Sequence, residues 1–282
     1  MTTSAQPAAT PAPTINLTQN QIDFFNREGF IPIEQLTSLE EVAWLRGIYD
    51  RLFEQRAGWD RGDQFDLGGV DDATKQPVLP QILNPTAYAP ELANSQLLAN
   101  GKRVMEQLLG SPDATCAIAH LIYKPAVIGA ATPWHQDAAY WSPVNEPRTL
   151  SIWVPLQEAT LENGCMQFVP KSHEAKTIYR HQSINNDPRI HGLEFHPDEI
   201  HLIQKPVACP LGPGGATVHG GYMFHYTGPN KSQVPRRALI MMGGLPPVKR
   251  PVPIDMPWIT EKKTLRAERA NAKAGKDVQP GR

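Results

Sequence analysis

"TPWHQDAAYW", residues 132–141, sets His135 and Asp137 two positions apart among large rings. On an extended strand successive side chains point to opposite faces, so positions 135 and 137 share one face. If that face looks inward, an imidazole and a carboxylate converge on one point. These are two of the three ligand types in the 2-His-1-carboxylate facial triad of non-haem iron(II) oxygenases. A hydrogen-bonded pair on a half-exposed strand would have the same spacing, so the rest of the chain has to decide.

The chain has 282 residues, of which 40% are hydrophobic and 20% charged, with a net charge of −1. That composition suits a globular domain and excludes a strongly basic nucleic-acid surface. No apolar run approaches the roughly 18 residues of a membrane span, and no basic start followed by an apolar run marks a secretory signal. Cys116, Cys165 and Cys209 stand far apart without a CxxC pair, which leads us to expect a reducing, cytoplasmic setting. The expected partner is therefore a small-molecule substrate rather than nucleic acid or a membrane, and no pattern assigns an oligomeric state. The 28 prolines are roughly twice the usual share of about 5% and point to a loop-rich β fold, since proline breaks helices and central strands.

Residues 1–14 are small, polar and proline-rich and predict a disordered tail. A short helix is predicted over 17–29, capped by Thr18 and closed by Gly29. A second opens at Ser38 with Glu41 as its capping-box partner and an apolar face of Val42, Leu45, Ile48, Tyr49, Leu52 and Phe53. Residues 57–76 read as a loop, and 90–109 contain a third helix with Leu97, Leu98, Val104, Leu108 and Leu109 as its stripe. From 114 onward short apolar runs alternate with Pro, Gly and Asn punctuation, as strands do. The polar stretch 174–206 reads as a surface excursion, and 261–282 as a charged tail that frays. The order predicts a single domain over 15–260, mainly β with flanking helices: a sandwich or barrel buttressed by its N-terminal helices.

Nine histidines are present, seven of them after Asp137. A third ligand from a distant strand is most simply His225, in "HGGYMFHYTGPN". His219 lies six residues earlier and would share a strand face with His225 only without a bulge, which Gly220 and Gly221 favour. An iron held by three protein groups keeps positions free for a chelating dicarboxylate, whose far end needs a fixed cation. Arg236, eleven residues after His225, suits that task because its planar fork meets a carboxylate bidentately. Its neighbour Arg237 reads as an exposed basic residue.

At this point the sequence resembles a family. "WHQD", "SIWVPLQEATLENGCMQFVPKSH" (151–173), "HYTGPNKSQVPRRA" and the opening "LTQNQIDFFNREGFIPI" are similar to the phytanoyl-CoA dioxygenase family of Fe(II)/2-oxoglutarate oxygenases, over roughly 17–245. The resemblance implies a double-stranded β-helix, a jelly-roll, cupin-like barrel. It implies His135, Asp137 and His225 as iron ligands and Arg236 as the clamp on the 2-oxoglutarate carboxylate, helped by the Thr227 hydroxyl. Trp153 corresponds to a wall of the co-substrate pocket, and Gln136, His120 and Gln81 to further residues lining it. The implied reaction consumes O2 and 2-oxoglutarate, releases succinate and CO2, and oxidises a substrate C–H bond. Family members that halogenate lack the metal-binding carboxylate; Asp137 is present, which implies hydroxylation or a related oxidation. Trp134, Tyr140 and Trp141 would supply a dry wall around the ligands.

Two other functions fit parts of this pattern. A zinc hydrolase on a cupin-like barrel can use two histidines and an aspartate, and has no need of Arg236. A non-catalytic cupin-like module would need neither. Core packing explains Trp153 and Trp134 as well as a pocket role does, and "GPGG" (212–215) is a turn rather than a phosphate loop, lacking the Gly-Lys-Ser/Thr that would follow.

Overall fold

Thr18 accepts a hydrogen bond from the Gln21 N–H, and the Gln21 side chain returns one from the Thr18 N–H, so a reciprocal capping box opens α1, Gln19–Glu28. Gly29, at φ 85, closes it in left-handed backbone. The computed structural model describes residues 11–277, and α2 (Leu39–Glu54) and α3 (Gln96–Leu109) follow where the apolar periodicity places them. Ser38 caps α2 as expected, accepting from the Glu41 N–H at 3.1 Å, but Glu41 does not complete the box. Its carboxylate accepts instead from the Gln96 and Leu97 N–H groups at 2.6 and 2.9 Å. The unpaired donors and positive end of α3 draw the carboxylate away, and an expected local cap becomes a tie between two helices.

The strands are β1 (Phe30–Ile33), β2 (Gln64–Asp66), β3 (Pro80–Leu83), β4 (Ala117–Lys124), β5 (Thr132–His135), β6 (Asn145–Glu146), β7 (Thr149–Pro155), β8 (Met166–Phe168), β9 (His181–Ser183), β10 (Leu193–Phe195), β11 (Val207–Cys209), β12 (Ala216–Gly220), β13 (His225–Thr227), β14 (Arg236–Gly244) and β15 (Val248–Lys249). Seven form an antiparallel sheet in the order β1-β12-β7-β14-β4-β3-β2, and four form a second in the order β11-β8-β13-β5. The two sheets face each other as a jelly roll, sharing no ladder that would close them into a continuous barrel.

Strand alternation sorts the large sheet into two faces. Ile152 and Val154 of β7, Val218 of β12, and Leu239 and Met241 of β14 pack against α2 and α3 through Leu45, Ile48, Leu52, Val104 and Met105. This is the main core, on the outer side. On the inner side Trp153, Ala238 and Ile240 meet Met166 and Phe168 of the small sheet. Arg236 and Arg237 part company by the same rule. Arg237 turns outward, where the sequence leaves it an exposed basic residue; instead it is largely buried and paired with Asp50 of α2, Nε to Oδ1 at 2.6 Å.

Several expectations change. The run 216–227 is two strands rather than one: after Gly220 the chain turns, Met223 N–H to Gly220 O at 3.0 Å, and crosses from the large sheet (β12) to the small one (β13). Gly221 makes the crossing possible, since a Cβ there would lie 2.4 Å from the Trp141 ring. Of the end expected to fray, 261–282, Leu265–Asp277 form α5, which follows the short α4 (Pro257–Thr260), and residues 278–282 lie outside the described residues. Arg269 of α5 ion-pairs with Asp71 at 2.6 Å and donates to the Trp59 and Gln64 carbonyls, which holds the helix in place despite its polar sequence. Of the expected disordered tail, residues 1–10 lie outside the described residues, while Thr14 donates its N–H to Asn100 Oδ1 at 2.7 Å. The loop 57–76 and the excursion 174–206 also carry short strands, β2 and the β9–β10 hairpin.

Replacing Glu41 with alanine should cost about 1–2 kcal/mol, the size of a lost helix cap. A urea titration checks this through a lower midpoint at unchanged slope.

Candidate metal centre and co-substrate pocket

β5 ends at His135, yet Gln136 stays extended (φ −118, ψ 133) before a 3-10 turn begins at Asp137. Alternation therefore persists one residue past the strand, and positions 135 and 137 do share a face. β13 pairs with β5 so that His225 stands directly opposite His135. The two imidazoles lie 4.1 Å apart between ring centres. Asp137 Oδ1 is 3.6 Å from His135 Nε2 and 3.4 Å from His225 Nε2, and the three ligand atoms all lie within 4.8 Å of one another.

The protonation pattern makes this cluster a cation site. His135 Nδ1 donates to the Pro133 carbonyl at 2.7 Å and His225 Nδ1 to the Met223 carbonyl at 3.0 Å. A carbonyl only accepts, so the proton of each neutral ring sits on Nδ1 and Nε2 presents a lone pair. Burial, and His225 alongside, push the His135 imidazole below its ordinary range and favour that neutral form. Two lone pairs and a carboxylate oxygen then face one another with no proton between them, an arrangement that a divalent cation resolves. The residues fit the metal. Burial pushes the Asp137 carboxyl up; positive charge on His225 and hydrogen bonds from His135, His219 and His225 hold it well below the usual range when those rings carry a proton at Nε2. A divalent cation takes over that role when the rings present lone pairs instead.

A hydroxyl from β7 fixes the carboxylate's other oxygen, and an imidazole from β12 stands beside it. Ser151 donates its hydroxyl to Oδ2 at 2.5 Å, and His219 Nε2 lies 3.3 Å from Oδ2. His219 thus comes from the opposite sheet to His225, reaches the same carboxylate and falls outside the triad. Sequence reasoning named it only as a lesser ligand candidate and missed Ser151. Ser151 was signalled, since it shares the inward face of β7 with Trp153.

These residues line a cavity of about 630 Å³. Arg236 and Thr227 lie on its wall and are buried. The guanidinium Nε and Nη1 and the Thr227 hydroxyl have no hydrogen-bond partner among the described residues. Burial brings Arg236 down to about 10. A buried guanidinium without a partner is costly, and together with the unpaired Thr227 hydroxyl lining the same cavity it fits a carboxylate. Arg236 also lies over the Trp153 ring, 5.4 Å from its centre. Lys124, which the sequence gave no reason to select, is buried and donates to the Thr227 and Gly228 carbonyls, anchoring the strand that bears Thr227. The Asn-Gly-Cys segment supports the same corner: Gly164, at φ 90, packs so tightly that a Cβ would lie 2.4 Å from the Gly228 carbonyl.

Gln81, His120 and Trp153 line the cavity. Burial takes the His120 imidazole down to about 4, and its Nε2 rests 3.2 Å from the Met242 sulfur. Gln136 does not line the cavity. Sitting between two inward positions, it points the other way, and its amide is consumed by the Thr177 and Tyr222 carbonyls (2.8 Å each) and the Tyr179 N–H (2.9 Å). Trp134 also faces outward, stacked on Tyr226 at 5.2 Å, whereas Tyr140 and Trp141 do wall the cavity.

Residues 25–238 match the family model for phytanoyl-CoA dioxygenase (PhyH). The chain belongs to the phytanoyl-CoA dioxygenase family. Among solved structures it is similar to EvdO2 from Micromonospora carbonacea var. aurantiaca complexed with 2-oxoglutarate, with 36% identity, a TM-score of 0.72, and coverage of 89% of this chain and 99% of that one. EctD from S. alaskensis, solved with bound Fe, shares the fold at 23% identity and a TM-score of 0.63, covering 83% of this family member and 80% of EctD. A curated relative, a probable alpha-ketoglutarate-dependent hypophosphite dioxygenase of Stutzerimonas stutzeri, is 31% identical over 237 residues, 76% of this chain and 74% of its own.

Replacing His225 with alanine is expected to abolish stoichiometric divalent-metal binding. Replacing His219 with alanine should leave the site in place but weaken it about 10–100-fold, as loss of a group that orients a ligand does. Anaerobic Fe(II) titration followed by calorimetry separates the two; the reverse pattern would assign the wrong histidine to the triad.

Proposed function

We propose that this family member is an Fe(II)- and 2-oxoglutarate-dependent dioxygenase that hydroxylates, or otherwise oxidises, an unactivated C–H bond of a small organic or lipid-like substrate, with release of succinate and CO2. One observation carries the reading: a buried, unpaired guanidinium and hydroxyl stand in the same cavity as three converging acceptor atoms. His135, Asp137 and His225 would hold the iron, and Arg236 with Thr227 would hold the distal carboxylate of 2-oxoglutarate. Bound together, iron and 2-oxoglutarate activate O2 for attack on the substrate.

The chain's own part is orientation and exclusion of water. Ser151 occupies Asp137 Oδ2 with His219 beside it, leaving Oδ1 to face the two Nε2 atoms, so the carboxylate offers one oxygen in a fixed direction. The Nδ1 bonds to backbone carbonyls hold both rings in the ligand tautomer. Tyr140 and Trp141, with Ile240 and Met242, make much of the remaining wall apolar, which strengthens charge interactions inside. The three free cysteines support a reducing, cytoplasmic setting. Among the described residues no helix is long and apolar enough to cross a membrane.

The test is succinate release from 2-oxoglutarate under air with added Fe(II), in wild type and in Arg236→Ala. Losing one partner of a buried charge pair costs about 2–5 kcal/mol, so the variant's KM for 2-oxoglutarate should rise at least about 30-fold. A zinc hydrolase on the same scaffold would form no succinate and would be indifferent to the loss of Arg236.

A further inference from the structure

The segment after the last sheet strand supplies two cations to the cavity that the reading above does not use. Lys262 and Arg266 both line it, beside Thr264 and Ile259. Lys262 sits over the Tyr140 ring, 4.9 Å from its centre, and Tyr140 meets the His135 ring edge-on at 5.8 Å. The ammonium is thus one aromatic ring beyond a metal ligand. Arg266 lies over Phe65, 4.4 Å from the ring centre, and Phe65 contacts His191 edge-on at 4.8 Å.

Neither cation has a carboxylate within salt-bridge distance among the described residues. Lys262 spends one donor on the His191 carbonyl at 2.6 Å, and Arg266 spends Nε on the Gly62 carbonyl at 2.6 Å. The Arg266 Nη groups make no hydrogen bond among the described residues. Arg237, Arg250 and Arg269 are by contrast each paired with a carboxylate, Asp50, Glu146 and Asp71 respectively, and Lys124, which has none, spends its ammonium on two backbone carbonyls. The acids whose fields reach Arg266 are Asp63 and Asp71, and each is committed elsewhere, Asp63 to the Tyr88 hydroxyl at 2.5 Å and Asp71 to Arg269 at 2.6 Å. Burial, with Arg266 alongside, brings the Lys262 ammonium down to about 8, the signature of a charge held in an apolar place without a counter-ion.

Resting on the oxygenase reading of this cavity, we propose that Lys262 and Arg266 are the recognition site for an anionic group on the substrate, which makes that substrate an organic acid with an apolar body: a carboxylate, phosphonate or phosphate ester. The co-substrate does not explain the pair, because Arg236 and Thr227 already provide one complete carboxylate site. The surroundings of that site, Trp153, Tyr49 and Cys165, share no residue with the Tyr140 and His191 contacts of Lys262. The apolar body would lie along Leu67, Leu83, Ile122 and Met242.

The test is anaerobic calorimetry on the protein loaded with Fe(II) and 2-oxoglutarate, titrated with hexanoate, hexylphosphonate, hexyl phosphate, hexanol and hexylamine. At least one of the three acids should bind about tenfold or more tighter than hexanol, and hexylamine should not bind. Which acid binds best identifies the anionic group. In Lys262→Ala/Arg266→Ala the acid's advantage should vanish while 2-oxoglutarate affinity stays within about twofold; Lys262→Gln/Arg266→Gln, which keeps the stems that cover the cavity, should behave alike if the variant folds less well. Equal binding of hexanol and the acids, no binding of any acid, or joint loss of 2-oxoglutarate in the variants overturns the proposal. Failure of the wild-type protein to bind 2-oxoglutarate would instead overturn the oxygenase reading beneath it.

Discussion

The carboxylate of Asp137 is the point on which the two sheets agree. His135 and His225 reach its Oδ1 from the small sheet, while Ser151 and His219 reach Oδ2 from the large one. A half-buried carboxylate facing two imidazole lone pairs is satisfied by the Ser151 hydroxyl on one oxygen and by a cation on the other, so the spacing of the sheets, the crossing at Gly221 and the extended backbone of Gln136 all bear on one side chain. The aromatic and aliphatic layer of Trp153, Met166, Phe168 and Ile240 fixes the same separation by packing. Polar and apolar contacts thus specify one geometry.

Much of this was legible in the sequence because it follows period-2 and period-3.6 rules. His135 and Asp137 share a face, Arg236 turns in, α2 buries Val42 through Leu52 on one side, and Thr18 and Gly29 bound α1. What periodicity could not show was where a run of strand-like residues changes sheet. "ATVHGGYMFHYTG" has one composition throughout, and it is the turn after Gly220 and the pairing of β12 and β13 in different sheets that bring His219 and His225 in from opposite sides. Gln136 was misplaced for a simpler reason: alternation, applied to its neighbours, already assigned it to the far face.

The C-terminal segment escaped for a different physical reason. Its composition is that of a solvated tail, with little apolar surface to bury, and local propensity would leave it marginal. Long-range polar contacts hold it instead, Arg269 to Asp71 and two carbonyls, and Trp258 Nε1 to the Ala139 carbonyl at 2.9 Å. Such contacts are set by residues nearly two hundred positions away in the chain and leave no local pattern. The pocket is thereby completed by residues outside the stretch that carries the family's motifs.

Because the ligands come from residues as far apart in the chain as His135 and His225, brought together on the paired strands β5 and β13 and the turn after β5, a metal held there would tie distant parts of the chain as well as serve as a reaction centre. Any ion that binds the native state and not the unfolded chain shifts the folding equilibrium by an amount that grows with the logarithm of its free concentration. For a protein built this way, iron supply would bear on the stability of the folded molecule as well as on its turnover, and withdrawing the metal would lower both.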